Sequence, residues 1–324
     1  MLHFTTLFDS FYLSRGLVMY ESLKKHTKSF HLYIFAFDDL SHEILNKMNL
    51  EFVTVISLSE FENPDLLKIK ETRTKAEYCW TCTPSTIDYV LNNYNVPNCT
   101  YLDADLVFYA NPKVLFDELA NKSVLITEHR YAKTSDLYEQ NRGGRFCVQF
   151  VTFKEEEKSK AVLTKWKDQC IDWCYARYED GKFGDQKYLD EWPGKYSNVH
   201  ILEHLGGGLA PWNVSQYKFK NENGLYGIDK KNKNKFEIIF YHFHFVRFYK
   251  NGTVDIGWHY LPEKIIKYLY IPYINKIKET EKSIQQINSN YKPFIFNNKP
   301  NNFKDFLKKT FKQISRYNLL KVKL

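Results

Sequence analysis

Two carboxylates, Asp103 and Asp105, interrupt the apolar run Tyr101-Leu-Asp-Ala-Asp-Leu-Val-Phe-Tyr109. Tyr101, Leu102, Leu106, Val107 and Phe108 predict a buried strand, and a desolvated carboxylate within it is costly unless paired. Extended backbone places residues two apart on one side, so Asp103 and Asp105 repel each other unless a cation lies between them. Oxygen ligands suit Mg²⁺ or Mn²⁺. The competing reading is a polar strand end whose acids cap a neighbouring helix. Six cysteines include Cys79-x-x-Cys82 and Cys170-x-x-x-Cys174. The latter pair has helical spacing beside Trp166 and Trp173, which reads as core rather than a zinc half-site.

The elements that must position the acids follow from patterning. Residues 2–8 predict a strand, Ser14 a helix N-cap, and His31–Phe37 a second strand ending in Asp38-Asp39. Ser41 caps a short helix over 42–48, and Phe52–Leu58 forms a third strand. This alternation argues for parallel α/β architecture, with ligands bound beyond the carboxyl ends of strands, where Asp9, Asp38, Asp103 and Asp105 lie. Glu60–Lys75 is polar. Thr83-Pro84 predicts the start of the helix leading into the Asp103/Asp105 strand. Further strands are expected over 124–127, 146–153, 199–205 and 238–245. Helices are expected over 155–177, from Phe183-Gly-Asp-Gln186, and over 262–287. At 324 residues and 44% hydrophobic, the chain can bury a large core.

The order of an N-terminal βα half, Leu102-Asp-Ala-Asp105, a later Asp185-Gln186 and a His-bearing strand resembles the metal-dependent glycosyltransferases of the GT-A fold. It is most similar to retaining family 8, which includes glycogenin and bacterial lipopolysaccharide galactosyl- and glucosyltransferases. The resemblance spans roughly residues 3–250. It implies a mixed central sheet flanked by helices, a nucleotide-sugar donor (usually a UDP-sugar), Mn²⁺ or Mg²⁺, and retention at the anomeric carbon. It also implies a glycan or lipid-linked acceptor such as lipopolysaccharide core. Carried onto this chain, it places the nucleoside against Thr5, Thr6, Phe8, Asp9 and Tyr12, with Arg73 or Lys75 reaching the donor. The metal and ribose fall to Asp103, Ala104 and Asp105, and the donor sugar to Asp185 and Gln186, the catalytic candidates. The third protein ligand is His242 or His244, with His242 preferred and His204 behind both; Arg247 follows to meet the phosphates. Two departures stand out. Phe146-Cys-Val-Gln149 replaces the family's Phe-Asn-x-Gly, leaving Gln149 to contact sugar, and His-x-x-Gly-x-x-Lys is absent. The glycines of His204-Leu-Gly-Gly-Gly-Leu-Ala-Pro-Trp-Asn213 permit close approach to a ligand. Rival readings are a sugar nucleotidyltransferase and a non-catalytic carbohydrate-binding protein on the same fold. The first lacks a Gly-rich basic loop in Phe8-Asp-Ser-Phe-Tyr-Leu-Ser-Arg15.

The expected domain plan is a catalytic unit over 1–250, a helical extension over 251–301 and a basic tail over 302–324. The tail carries +6 of the net +8. Phe303, Phe306, Leu307, Phe311 and Ile314 share one helical face, and Lys304, Lys308, Lys309, Lys312 and Arg316 fill the rest. Such a helix can lie in a membrane interface, and the alternative is that its apolar face packs on the domain with the lysines solvated. Nucleic acid is disfavoured because aromatics and cations do not interleave. The N-terminus lacks the basic and apolar regions of a signal peptide, and no apolar stretch approaches a bilayer's span. The expectation is a cytoplasmic protein, with a peripheral contact on the inner face of the cytoplasmic membrane through residues 303–324.

Overall fold

The computed structural model describes residues 1–133, 137–297 and 302–321. Its centre is a seven-stranded mixed sheet. The strands are β1 (Leu2–Phe8), β2 (Phe30–Ala36), β3 (Val53–Ser57), β4 (Asn98–Leu102), β6 (Val124–Glu128), β7 (Phe146–Lys154) and β8 (Val199–Ile201), in the order β3-β2-β1-β4-β7-β6-β8. β5 (Leu106–Phe108) leaves this sheet. β3, β2, β1 and β4 run parallel, whereas β7 is antiparallel to both β4 and β6. The alternation of apolar residues splits the core between the two faces. Leu7, Tyr33 and Phe35 pack on one side, and Phe4, Phe8, Leu32 and Ile34 on the other.

The helix leading into β4 spans Lys75–Tyr94, so Pro84 lies inside it rather than at its start. The start is set by a capping box between Thr74 and Glu77. The interior proline removes one backbone bond, and nearby the Thr81 and Thr83 hydroxyls donate back to the carbonyls of Glu77 and Cys79. The expected strand over 238–245 narrows to three residues.

The C-terminal third adds four groups of residues. β9 (Tyr217–Asn221), β10 (Leu225–Asp229) and β11 (Lys235–Glu237) form a meander, and β12 (Phe240–His242) pairs with β5. β13 (Arg247–Phe248), β14 (Thr253–Asp255) and β15 (Leu319–Lys321) form a small antiparallel sheet. A long helix, Ile271–Ile287, packs its buried Tyr273, Ile274 and Ile277 into the third core cluster. The tail is thus docked: its helix, Phe303–Ser315, precedes β15, which pairs with β14. Residues 322–324 and the side chain of Lys304 lie outside the described residues. No described helix is long and apolar enough to cross a membrane.

Candidate active site

Asp103 and Asp105 occupy a tight turn between β4 and β5, closed by the Leu106 N–H donating to the Asp103 carbonyl at 3.3 Å. The continuous extended run expected from the sequence therefore breaks at Asp103. The Asp103 N–H still donates to the Gln149 carbonyl at 3.1 Å, extending the β4–β7 ladder by one bond before the chain turns away. A turn, not strand alternation, brings the acids together.

The antiparallel β5–β12 ladder places Phe240 opposite Phe108, Tyr241 opposite Val107 and His242 opposite Leu106. The Phe243 N–H donates to the Asp105 carbonyl at 3.0 Å. His242 Nε2 consequently lies 3.0 Å from Asp105 Oδ1 and 3.6 Å from Asp103 Oδ2. On the far side of the ring, Nδ1 meets Gln149 Oε1 at 2.8 Å. The amide oxygen can only accept, so Nδ1 carries a proton and Nε2 is aimed at the acids.

These groups share charge tightly. Burial raises the Asp103 carboxyl to about 6, with His242 opposing and Asp105 reinforcing the rise. Burial pulls Asp105 in the same direction, but the charge and hydrogen bond of His242 outweigh it and hold Asp105 below the ordinary range. For His242, burial disfavours the cation, yet Asp105 more than compensates and the ring is held well above its ordinary value. A half-buried and a buried carboxylate, Asp103 and Asp105, face one imidazole and hold positive charge between them. The residues therefore fit a divalent ion, which would take the place of that charge. Asp103, Cys147 and His242 each present a donor atom within 4.8 Å of the others, and this is the one such group of three among the described residues.

The remaining residues divide. Asp185 is buried, and burial followed by the charge of Asp103 raises its carboxyl to about 8. Its carbonyl accepts from Trp166 Nε1 at 2.9 Å. Gln186 donates to the Gly143 carbonyl at 2.7 Å. Asp9 accepts from the N–H groups of Phe11 and Tyr12 at 3.0 and 3.3 Å. The Arg15 guanidinium lies 4.8 Å from the centre of the Tyr12 ring, and burial followed by the charge of Asp105 pushes the Tyr12 phenol up to about 12. Thr5 and Thr6 are fully buried, and their hydroxyls find no partner among the described residues. Ala104 is buried in the turn. Lys75 sits 5.4 Å from the Phe11 ring, beside the Asp9 loop.

Other candidates are committed elsewhere. Phe8 is core; its ring fills the space where a Cβ on Gly16 would fall, 2.3 Å away. Arg73 stacks on Tyr175 with its carbon 3.9 Å from the ring centre, and donates to the Tyr175 hydroxyl and the Ile171 carbonyl. It is not among the groups gathered around Asp103. His204 accepts from the Gly206 N–H at 3.1 Å and is occupied by its own turn. His244 is exposed, edge-on to Trp212 and to His242.

The glycines of the loop at 206–208 have a packing role. A Cβ on Gly206 would meet the Glu237 carbonyl at 1.8 Å, and one on Gly208 would meet Thr127 Cγ2 at 2.5 Å and Gln149 Nε2 at 3.3 Å. The glycines let the loop pack onto the protein itself. The loop then delivers Trp212 edge-on to His242, with ring centres 5.4 Å apart. Trp212 and Cys147 are the residues that sequence reasoning missed. Cys147 lies two positions before Gln149 on β7, so strand alternation puts both on the His242 side.

Comparison with known proteins comes next. No protein-family model matches the chain. YfnD of Bacillus subtilis (strain 168), itself uncharacterized, is 31% identical over 288 residues, covering 87% of this chain and 91% of that protein. YfnF of the same organism, also uncharacterized, is 32% identical over 237 residues, covering 71% and 77%. The galactosyltransferase LgtC, solved with donor and acceptor sugar analogs, superposes with a TM-score of 0.53 at 10% identity over 86% of this chain and 96% of that one. WbbM, a bifunctional glycosyltransferase, superposes with a TM-score of 0.50 at 14% identity, over 89% of this chain but only 52% of its own length. At such identities the structural likeness is one of fold. The chain belongs to the family of YfnD and YfnF, and its fold is the GT-A fold of the family 8 glycosyltransferases.

Proposed function

We propose that the protein is a glycosyltransferase that moves a hexose from a nucleotide sugar, a UDP-sugar, to a glycan or lipid-linked acceptor. The observation that carries this is the convergence of Asp103, Asp105 and an amide-oriented His242 at the end of β4 in a GT-A sheet. These residues would hold Mn²⁺ or Mg²⁺, which when bound offsets the charge of the departing nucleoside diphosphate. The nucleoside lies against Thr5, Thr6, Asp9 and Tyr12, and the phosphates face Lys75 and Arg247. Gln149 keeps His242 in one tautomer, and its own Nε2 is buried and unpartnered among the described residues.

Retention has two routes through this chain's residues. Double displacement takes Asp185 as nucleophile, which must first release the proton that burial and Asp103 hold on it. A front-face route takes Gln186 as the group that stabilises developing positive charge through its amide oxygen, because its nitrogen is committed to Gly143. The protein works at the inner face of the cytoplasmic membrane, where the tail meets lipid.

Calorimetry with UDP and Mn²⁺ tests the core of the proposal. Asp105→Ala should abolish metal-dependent UDP binding in a folded protein. Unchanged affinity in that variant would refute the site, and no response of the parent to UDP with metal would refute the activity.

A further inference from the structure

The tail helix does not lie on the domain as the amphipathic pattern alone suggests. Its apolar residues face out: Phe311 is 62% exposed and Ile314 80%. The residue that faces in is Lys312, which is buried. Its ammonium donates to the Asp255 carboxylate and, at 2.7 Å, to the Gly257 carbonyl. Asn318 then clamps the Gly257 and His259 carbonyls at 3.1 and 2.8 Å, and β15 completes the three-stranded sheet. This anchoring fixes the rotation of the helix and turns Lys308 and Lys312, one turn apart, toward a cleft that Arg316, just past the helix end, also lines.

The cleft has a volume of about 560 Å³ and lies between the tail helix and the sheet β13-β14-β15. Among the described residues six cations line it: those three, Lys309, Lys321 and Arg247. The one carboxylate among the described residues of its wall, Asp255, is paired with Lys312. Cations gathered this way repel one another, and a bound polyanion relieves that repulsion. Arginine and lysine together are the usual partners of phosphate oxygens. The other walls are aromatic. Phe245 stacks under Arg247 at 3.9 Å, and Trp258 stands 45% exposed at the rim. Flat aromatic surface beside a polyanion site suits a sugar ring carrying phosphate. Arg247 lines this cleft and its charge also reaches Tyr12 and His244, so the cleft opens beside the proposed donor site, whose phosphates the same arginine faces.

We infer that this cleft receives the acceptor and that the acceptor is a sugar bearing a diphosphate group. The inference rests on the glycosyl-transfer reading of the neighbouring site. The same chemistry is offered by a soluble phosphorylated glycan and by the diphosphate headgroup of a polyprenyl carrier.

The test is titration of inorganic pyrophosphate into the full chain by calorimetry, with chelator present so that the metal site stays out of play. A Lys308→Glu/Arg316→Glu variant is run in parallel; both side chains are exposed, so the fold should survive. The expected result is at least tenfold weaker pyrophosphate binding in the variant, with UDP–Mn²⁺ affinity unchanged within twofold. Pyrophosphate binding that is absent in the parent, or equal in parent and variant, would overturn the inference. UDP–Mn²⁺ binding in the same samples reports separately on the donor reading. Phosphatidylcholine vesicles doped with a polyprenyl diphosphate identify the source. Recruitment that free pyrophosphate reverses indicates a lipid carrier, whereas pyrophosphate binding without recruitment indicates a soluble glycan. Either supports a diphosphate site.

Discussion

At the residue scale, one histidine and two carboxylates share protons that a metal would displace. Loss of His242 should therefore matter more to metal binding than loss of His204, whose ring serves only its own turn. In a Mn²⁺ titration His242→Ala should bind at least tenfold more weakly, and His204→Ala within twofold of the parent. Cys147 adds a soft donor beside Asp103 and His242. Cys147→Ser should lower affinity for Co²⁺ more than for Mg²⁺ and remove sulfur-to-cobalt absorption in the near ultraviolet. Asp185 gives a pH signature. Its carboxyl, about 8 in the folded protein, lies far above the ordinary 3.8. Across that interval the unfolded chain releases a proton that the folded chain retains. The contribution of Asp185 is thus fully present below about pH 4 and is lost as pH rises through 8. Asp185→Asn does not titrate, so its melting temperature relative to the parent should climb between pH 5 and pH 8.5. A constant difference would show that Asp185 is already ionised at pH 5.

At the scale of elements, the glycine loop holds the site's far wall. Gly208 has φ of +93°, and a Cβ there would strike Thr127 and crowd the Gln149 amide that orients His242. Gly181 has φ of +76° with nothing within 4 Å. Alanine at Gly181 therefore isolates the backbone strain, about 1–2 kcal/mol. Gly208→Ala should cost more than Gly181→Ala in chemical denaturation, and it alone should weaken Mn²⁺ binding.

Over the whole molecule, the tail is an appendage with a polar root and an apolar outer surface. Removing one partner of a buried ion pair costs about 3–5 kcal/mol. Lys312→Met should therefore free residues 302–321 for proteolysis while the seven-stranded sheet stays protected. Each cation near an anionic bilayer contributes about 1 kcal/mol, and the exposed phenylalanines add apolar burial. The full chain should co-sediment with phosphatidylglycerol vesicles at low salt, and a chain ending near Pro300 should not. Equal recovery of the two would remove the tail as the membrane contact.

Much of this protein is legible in its sequence because local rules dominate there. β1 through β4 lie in the apolar stretches that predict strands, and Asp103 and Asp105 stand out as carboxylates inside an apolar run, whereas His242 enters through the family resemblance and its place after Ile238–Tyr241. The helix start at Thr83-Pro84 misled because a proline signal is local, whereas the Thr74–Glu77 capping box decides where the helix begins. What the tertiary structure alone decided depends on pairing between distant segments. The β5–β12 ladder brings His242 to acids more than a hundred residues away, and β7 brings Cys147 and Gln149 to the same ring. The stacking of Arg73 on Tyr175 likewise joins segments about a hundred residues apart, which no local pattern reveals. The tail's hydrophobic stripe was evident in the sequence. Its orientation was not, because one buried pair between Lys312 and Asp255, rather than the stripe itself, determines which face turns outward.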